Sequence, residues 1–92
     1  MGATATTGWA KLLKAIAHPT RLTILRELAK GTRCVNDIRE LVDLPQPNVS
    51  QHLALLKKDG LVISRKQGAR RCYSLADARL ISGIFAALGP RS

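Results

Sequence analysis

The sequence is poor in aromatic residues and in acids, and both shortages limit what the protein can be. Only three of its 92 residues are aromatic, so aliphatic side chains must fill the core of what is at most one domain. Six acids stand against 15 Lys and Arg, which gives a net charge of +9. That excess favours a polyanionic partner, either nucleic acid or an anionic membrane surface. No apolar run approaches the ~20 residues that a membrane-spanning helix needs, so we predict that the chain does not span a membrane.

Residues that perform catalysis or respond to redox conditions are also scarce. There is no Gly-rich phosphate loop and no Ser-His-Asp arrangement, and the two histidines, His18 and His52, lie at a helix junction and on a helix flank. We therefore predict no enzyme activity. The N-terminus lacks the regions of a signal peptide, and the two cysteines lie far apart in the sequence. These features indicate reduced thiols and a cytoplasmic location.

Helical periodicity and turn signals predict a mainly α domain over residues 8–88, with a flexible N-terminus over 1–7 and a short tail over 89–92. Five helices are expected, ending with one over 77–88 in which Asp77 complements the helix dipole. Pro19 should open the second helix, Gly31 should cap its C-terminus, and Thr32 should be the N-cap of the third. The predicted ranges of the first four are 8–17, 20–30, 32–42 and 47–60.

The fourth helix has two different faces. Val49, Leu53 and Leu56 form a buried stripe, whereas Asn48, Ser50, Gln51 and Lys58 lie on or beside the opposite face. Amide side chains on an exposed helix can hydrogen-bond base edges, and Lys can meet phosphate. Because the third helix precedes it after a tight turn, we predict a helix-turn-helix. An ordinary solvated helix face is the alternative.

Two segments after Gly60 predict a β-hairpin. Residues 61–66 and 71–75 alternate in character, with 67–69 as the connection. Such a hairpin after a recognition helix is a wing, and its polar side chains reach phosphates or a minor groove. The alternative is a charged edge that only prevents aggregation. The predicted contacts are Arg65, Lys66, Gln67, Arg70 and Arg71.

Both terminal helices carry apolar stripes that the small core does not need. We therefore predict a homodimer whose interface is formed by the first and last helices. The predicted interface residues are Trp9, Leu12, Leu13, Ile81, Ile84, Phe85 and Leu88.

The order of these elements, with four of their segments, resembles the ArsR/SmtB family of winged-helix repressors from about Trp9 to Leu88. The segments are AHPTRLTILREL, CVNDIREL, LPQPNVSQHLALLKKDGLV and RKQGARRCYSL. The resemblance implies a homodimer that binds double-stranded operator DNA and releases it when an inducer binds, often a metal ion or metalloid. It also implies that Gln46, Pro47, Ser50 and Gln51 face the major groove, where Pro47 acts by shape or apolar contact.

The family's sensor motifs are incomplete in this sequence. Where metal sensors carry C-V-C-D, this chain has Cys34-Val35-Asn36-Asp37, and where a last-helix site begins Asp-x-His, it has Asp77-Ala78-Arg79. One thiolate with a neutral Asn is a poor site for zinc or arsenite. We assign no cofactor with certainty, and the one candidate is a soft metal or metalloid at Cys34 and Cys72.

Three interpretations of the cysteines remain open at this point. Both can be small buried hydrophobes, they can form a thiol switch, or they can belong to a site shared between protomers. The function alternatives are a winged-helix regulator without metal or thiol sensing and a protein–protein adaptor with the same fold.

Overall fold

The computed structural model describes residues 3–42 and 49–90. Five helices and three strands follow one another along these residues. None of the helices in this part of the chain is long and apolar enough to cross a membrane. In chain order the elements are α1 (Ala3–Ile16), α2 (Pro19–Leu28), β1 (Arg33–Cys34), α3 (Val35–Leu41), α4 (Val49–Lys58), β2 (Val62–Gln67), β3 (Arg70–Leu75) and α5 (Ala78–Leu88).

Helix α1 begins at Ala3, five residues earlier than the predicted start at residue 8. The segment from Ala3 to Gly8 has no apolar stripe, and this absence led to the late predicted start. Alanine is nevertheless the best helix former, and Thr costs little in a first turn that is continued by a strong helix.

Helix α2 starts where the proline signal predicts and ends earlier than predicted. Pro19 occupies its first turn, and His18, in extended backbone, is its N-cap. The helix ends at Leu28 with Ala29 as C-cap, so the prediction that Gly31 caps a helix over 20–30 is wrong. Gly31 instead has φ of 141°, a conformation that glycine adopts and other residues rarely do, at the point where the chain leaves the helical turn for β1.

The third helix differs most from its prediction. Thr32 does not cap it: the Thr32 hydroxyl hydrogen-bonds the Ser74 hydroxyl at 3.1 Å, and Cys34 holds the N-cap position. Residues 33–34 form strand β1, so α3 starts only at Val35. A two-residue strand has no periodicity of its own, and only its partner strand makes it visible.

Helix α4 ends as predicted at a glycine. Gly60 has φ of 76°, its N–H donates to Lys57 O at 3.0 Å, and the Leu61 N–H donates to Leu56 O at 2.9 Å. These two bonds form a Schellman motif, and the apolar contact that accompanies it joins Leu61 to Leu56, both buried. The chain therefore turns sharply from α4 into β2.

The predicted hairpin is present, with a third strand beside it. Strands β2 and β3 pair antiparallel from Val62↔Leu75 to Gln67↔Arg70, and β1 pairs with the other edge of β3. The connection is Gly68-Ala69, and Gly68 has φ of 64°, as a type II′ turn requires at its first central residue. The fold is a winged helix-turn-helix with a three-stranded sheet, and the predicted fold class is confirmed.

Aliphatic side chains build the core, as the shortage of aromatics implied. Helices α2, α3 and α4, the C-terminal end of α1 and strands β2 and β3 enclose it, and α5 contributes one fully buried side chain, Ile81. The completely buried members are Ile24, Leu25, Ile38, Leu53 and Leu56. This core orients α4 and the wing relative to each other.

Candidate nucleic-acid interface

Helix α4 presents the polar face that its sequence predicted. Val49, Leu53 and Leu56 are buried, and Ser50, Gln51 and Lys58 are exposed. Three further predicted contacts, Gln46, Pro47 and Asn48, lie outside the described residues. The predicted start of α4 at Pro47 falls there as well.

The wing exposes all five of its predicted contacts: Arg65, Lys66, Gln67, Arg70 and Arg71. Two of the four cations have side-chain partners among the described residues. The Arg71 guanidinium donates to Ser64 Oγ at 3.2 Å across the hairpin, and Arg70 forms an ion pair with Asp37 of α3, with Nη2 and Oδ2 3.1 Å apart. Arg70 is therefore turned towards α3, whereas Arg65 and Lys66 have no ion pair within the described residues.

A disulfide joins Cys34 of β1 to Cys72 of β3. The two residues face each other in the ladder, so the fold brings together cysteines that are 38 residues apart in sequence. In place of the reduced thiols that the sequence predicted, both sulfurs are bonded to each other within one chain. Neither cysteine is a separate core filler, although Cys72 is buried. The sequence concealed this pairing because β1 was not predicted.

The residues present do not fit a metal site. Zinc and metalloids bind thiolates, and in the disulfide neither sulfur is a thiolate. Asp37, the acid nearest in sequence to Cys34, is engaged by Arg70. Over residues 3–42 and 49–90, no group of three or more His, Cys, Asp or Glu could hold a metal ion. The soft-metal candidate at Cys34 and Cys72 thus has no support from this geometry.

The predicted dimer-interface residues fall into three groups by exposure. Trp9, Leu13 and Leu88 expose 54, 56 and 45% of their surface. Leu12, Ile84 and Phe85 are partly buried and pack against the chain's own core. Ile81 is only 2% exposed and belongs to the chain's own core, because the apolar stripe of α5 is too wide to lie on one side of the helix.

Two histidines that are far apart in the sequence meet between the start of α2 and helix α4, a contact that the sequence analysis did not predict. The His18 and His52 rings have centroids 4.6 Å apart and are tilted by 44°. Burial, followed by the charges of His18 and Arg21, lowers the pKa of His52 below the ordinary histidine value. His18 could have been recognised as an N-cap from the Pro that follows it, but its approach to His52 depends on how α2 and α4 pack.

Comparison with known protein families identifies the class of protein to which this chain belongs. The model of the family described as "Bacterial regulatory protein, arsR family" matches residues 18–64, from the N-cap of α2 into β2. The chain belongs to this family, and the predicted resemblance is confirmed.

Individual relatives agree with that assignment. The HTH-type transcriptional repressor SmtB of Mycobacterium tuberculosis is 41% identical over 70 residues, which are 76% of this chain and 52% of that protein. The uncharacterized HTH-type transcriptional regulator MJ1325 of Methanocaldococcus jannaschii is 44% identical over 72 residues, covering 77% of this chain and 81% of its own. The chain thus spans about half the length of the mycobacterial repressor.

A solved structure has the same fold. The homodimeric winged helix-turn-helix DNA-binding domain Mb0332 of Mycobacterium bovis, a fragment of residues 1–100, superposes with a TM-score of 0.82 at 34% identity. The match covers 94% of this chain and 82% of that one.

Proposed function

We propose that this chain is a homodimeric, sequence-specific DNA-binding repressor whose affinity for DNA depends on the Cys34–Cys72 disulfide. The observation that carries the DNA-binding part is the wing, where four cations and a glutamine are exposed and one acid, Asp37, approaches them. Membership of a family of regulators, with relatives named as repressors, supports the same function. The strong positive charge disfavours the adaptor alternative.

The DNA contacts follow from the chemistry of each surface. Gln51, with Ser50 beside it, would hydrogen-bond base edges in the major groove, and Lys58 would meet a phosphate. Family resemblance assigns Gln46 and Pro47 to the same groove, and the polar face predicted from the sequence adds Asn48. The wing cations would neutralise phosphates on either side of a minor groove.

The homodimer would use the two ends of the chain. Large exposed apolar side chains on α1 and α5, such as Trp9, Leu13 and Leu88, are unfavourable in water unless a partner covers them. A groove of about 790 Å³ between α2 and α5, with Leu22, Phe85 and Leu88 in its walls, adjoins this surface. A second copy would cover both, and its α4 would reach a half-site about 34–36 Å away.

The disulfide would act on the wing through Asp37. Cys34 is the N-cap of α3 and Asp37 lies in the first turn of that helix, while Cys72 follows Arg70 by two residues on β3. The bond therefore keeps Arg70 beside Asp37. An exposed ion pair contributes only about 0–1 kcal/mol, so without the covalent bond it would yield readily to a DNA phosphate.

The chemistry of the switch is ordinary thiol–disulfide exchange. A dithiol reductant supplies two electrons and two protons, the S–S bond breaks, Cys34 and Cys72 become thiols, and the reductant becomes its own disulfide. Peroxide reverses the step: one thiol becomes a sulfenic acid with release of water, and the second thiol displaces a further water to restore the bond. In this proposal the disulfide form binds DNA more weakly than the dithiol form.

One titration tests the DNA-binding part. A duplex selected from a random library by the wild type would be compared with a scrambled duplex by fluorescence anisotropy between 50 and 200 mM salt. We expect tighter binding to the selected duplex and a steep loss with salt, since each phosphate contact releases a counterion. Equal binding to both duplexes, or no salt dependence, would exclude sequence-specific DNA binding.

The redox part is tested on the same duplex with oxidised and reduced protein. Reduction should raise affinity and steepen the salt slope by about one phosphate contact. Cys34→Ser and Cys72→Ser should not respond to the reductant, and oxidised Asp37→Asn should bind as tightly as reduced wild type. If oxidised and reduced wild type bind alike, the switch proposal is wrong. Arsenite and zinc, added to the reduced protein, would reveal any response of the free thiols to metals.

A further inference from the structure

The two histidines of the described chain form a contact between the start of α2 and helix α4. His18 Nδ1 accepts a hydrogen bond from the Thr20 N–H at 3.1 Å, and this bond caps α2. A ring nitrogen accepts only when it carries no proton. The cap therefore requires that His18 Nδ1 stay unprotonated, which a neutral ring allows and an imidazolium does not.

His52, on α4, meets this junction with a nitrogen that no solvent reaches. Its Nδ1 is buried without a hydrogen-bond partner among the described residues, and so is Nε of Arg21 in the first turn of α2. A proton added at His52 Nδ1 would be a buried donor with no acceptor, which costs more than the same group in water. It would also place a positive charge beside the Arg21 guanidinium.

Among the described residues, no negative charge lowers the cost of a proton on His52. The charges that act on His52 within the described residues are those of His18, from the α1–α2 junction, and Arg21, from α2, and both lower its pKa after the larger effect of burial. Helix α3 and strand β2 also pack on α4, but their charged groups are not among the causes of the shift. Those groups are Asp37, Arg39, Glu40, Arg65 and Lys66.

We propose that the His18–His52 contact is a proton-sensitive support of the recognition helix, so that mild acid displaces α4 and weakens DNA binding. The inference rests on the proposed function, because its readout is affinity for DNA. Protonation of either ring breaks the arrangement: His18 loses its cap bond, and His52 gains a donor without a partner. Both effects act on the same contact between α2 and α4.

The sign of the pH dependence follows from which form binds more protons. With α4 in place, the pKa of His52 is lowered, whereas a displaced His52 would titrate near the ordinary value of about 6.5. Between these two values the displaced form carries more protons, so lowering the pH through about 6.5 favours displacement. Above that pH the contact contributes its full stabilisation, and the contribution is lost as the pH falls.

A histidine titration by NMR tests the contact without DNA. In the full chain, His52 should titrate below an ordinary histidine. In His18→Asn, which keeps a capping oxygen and removes the neighbouring ring, the pKa of His52 should rise partway towards the ordinary value. A wild-type His52 that titrates at or above about 6.5 would overturn the proposal.

The second arm measures affinity for the selected duplex from pH 7.5 to 5.5 at constant ionic strength and constant redox state. One histidine that titrates near 6.5 in the displaced form changes affinity by at most about fivefold between pH 6.5 and 5.5, so we expect a roughly two- to fivefold loss over that range. His52→Gln removes both the ring contact and the titrating group, so it should bind more weakly than the wild type at pH 7.5 and lose less than about twofold further over the acid range. The scrambled duplex, measured in parallel, reports any acid effect on non-specific binding.

Two results would contradict the inference directly. Affinity that rises in acid would mean that a protonated histidine attracts DNA, and affinity that is independent of pH would mean that the contact does not control α4. Absence of binding to any duplex at pH 7.5 would instead contradict the proposed function. In that case the NMR titration would still decide whether acid opens the histidine contact, and should His52→Gln fail to fold, the wild-type curve and His18→Asn decide.

Discussion

The two ends of the chain and its middle expose different mixtures of side chains. Helices α1 and α5 expose Trp9, Leu13 and Leu88, whereas α4 and the wing expose mainly amides, a hydroxyl and cations, with Leu55 and Ile63 as apolar exceptions. An exposed apolar surface gains free energy when a second protein covers it, and a cationic surface gains when counterions leave a polyanion. We therefore propose protein contact at the ends of the chain and nucleic-acid contact in its middle.

The largest expected effect separates the two regions. Leu13→Asp combined with Leu88→Asp should convert a dimer to monomers, because each change puts a charge where an apolar anchor is worth about 2–4 kcal/mol. Sedimentation at micromolar concentration measures it. Leu41→Asp, at an exposed leucine of α3, is the matched control and should leave the dimer intact. A wild type that sediments as a monomer would refute the assignment of the ends to dimer contact.

A smaller effect tests base recognition within the middle region. Gln51→Ala and Ser50→Ala should each weaken binding to the selected duplex by about 1–3 kcal/mol at the affected base pair and leave the scrambled duplex almost unchanged. Anisotropy titrations on both duplexes measure the difference. Equal losses on the two duplexes would show that α4 does not read bases directly.

Removing a cation from the wing should weaken binding to the selected and the scrambled duplex alike, unlike the changes on α4. Lys66→Ala should weaken binding to both duplexes alike and reduce the salt slope by about 1, since a phosphate contact carries no sequence information. Lys14→Ala, on α1, removes the same charge outside the middle region and is the control. If Lys14→Ala lowers the slope as much as Lys66→Ala does, net charge and not the wing accounts for the salt dependence.

The smallest effect concerns the capping of α5. The Asp77 carboxylate accepts a hydrogen bond from the Leu80 N–H at 3.0 Å, as an N-cap does. Asp77→Ala should reduce the free energy of unfolding by about 1 kcal/mol, and Asp77→Asn should recover most of it because its amide oxygen caps equally well. Urea denaturation measures both. Equal losses in the two variants would mean that the charge of Asp77, and not its hydrogen bond, stabilises α5.

The elements with strong local signals were predicted correctly. Pro19 marks the start of α2, Gly60 marks the end of α4, and the glycine between two alternating segments marks the wing. Elements defined by long-range pairing were missed or displaced. Strand β1 is two residues long and exists through its ladder with β3, so the sequence alone predicted Thr32 as a helix cap where the fold has an extended chain.

The candidate site likewise has residues whose exposure the sequence predicts and contacts that it does not predict. Ser50, Gln51 and Lys58 could be assigned from helical periodicity, because a buried stripe at Val49, Leu53 and Leu56 determines which residues point outwards. The pairing of Arg70 with Asp37 could not be assigned, since the two are 33 residues apart and meet across the sheet and α3. The same limit applies to Ile81, whose burial depends on how α5 packs.

The sequence by itself determined the family, the order of helices and hairpin, the charge that favours a polyanionic partner and the faces of α4, because all of these depend on local composition and periodicity. Only the tertiary structure decided that Cys34 and Cys72 are bonded, that Arg70 is paired with Asp37 and that the His18 and His52 rings are in contact. Each of these contacts joins residues more than 30 positions apart. Their approach is set by the packing of buried aliphatic side chains between the elements, which no single stretch of sequence encodes.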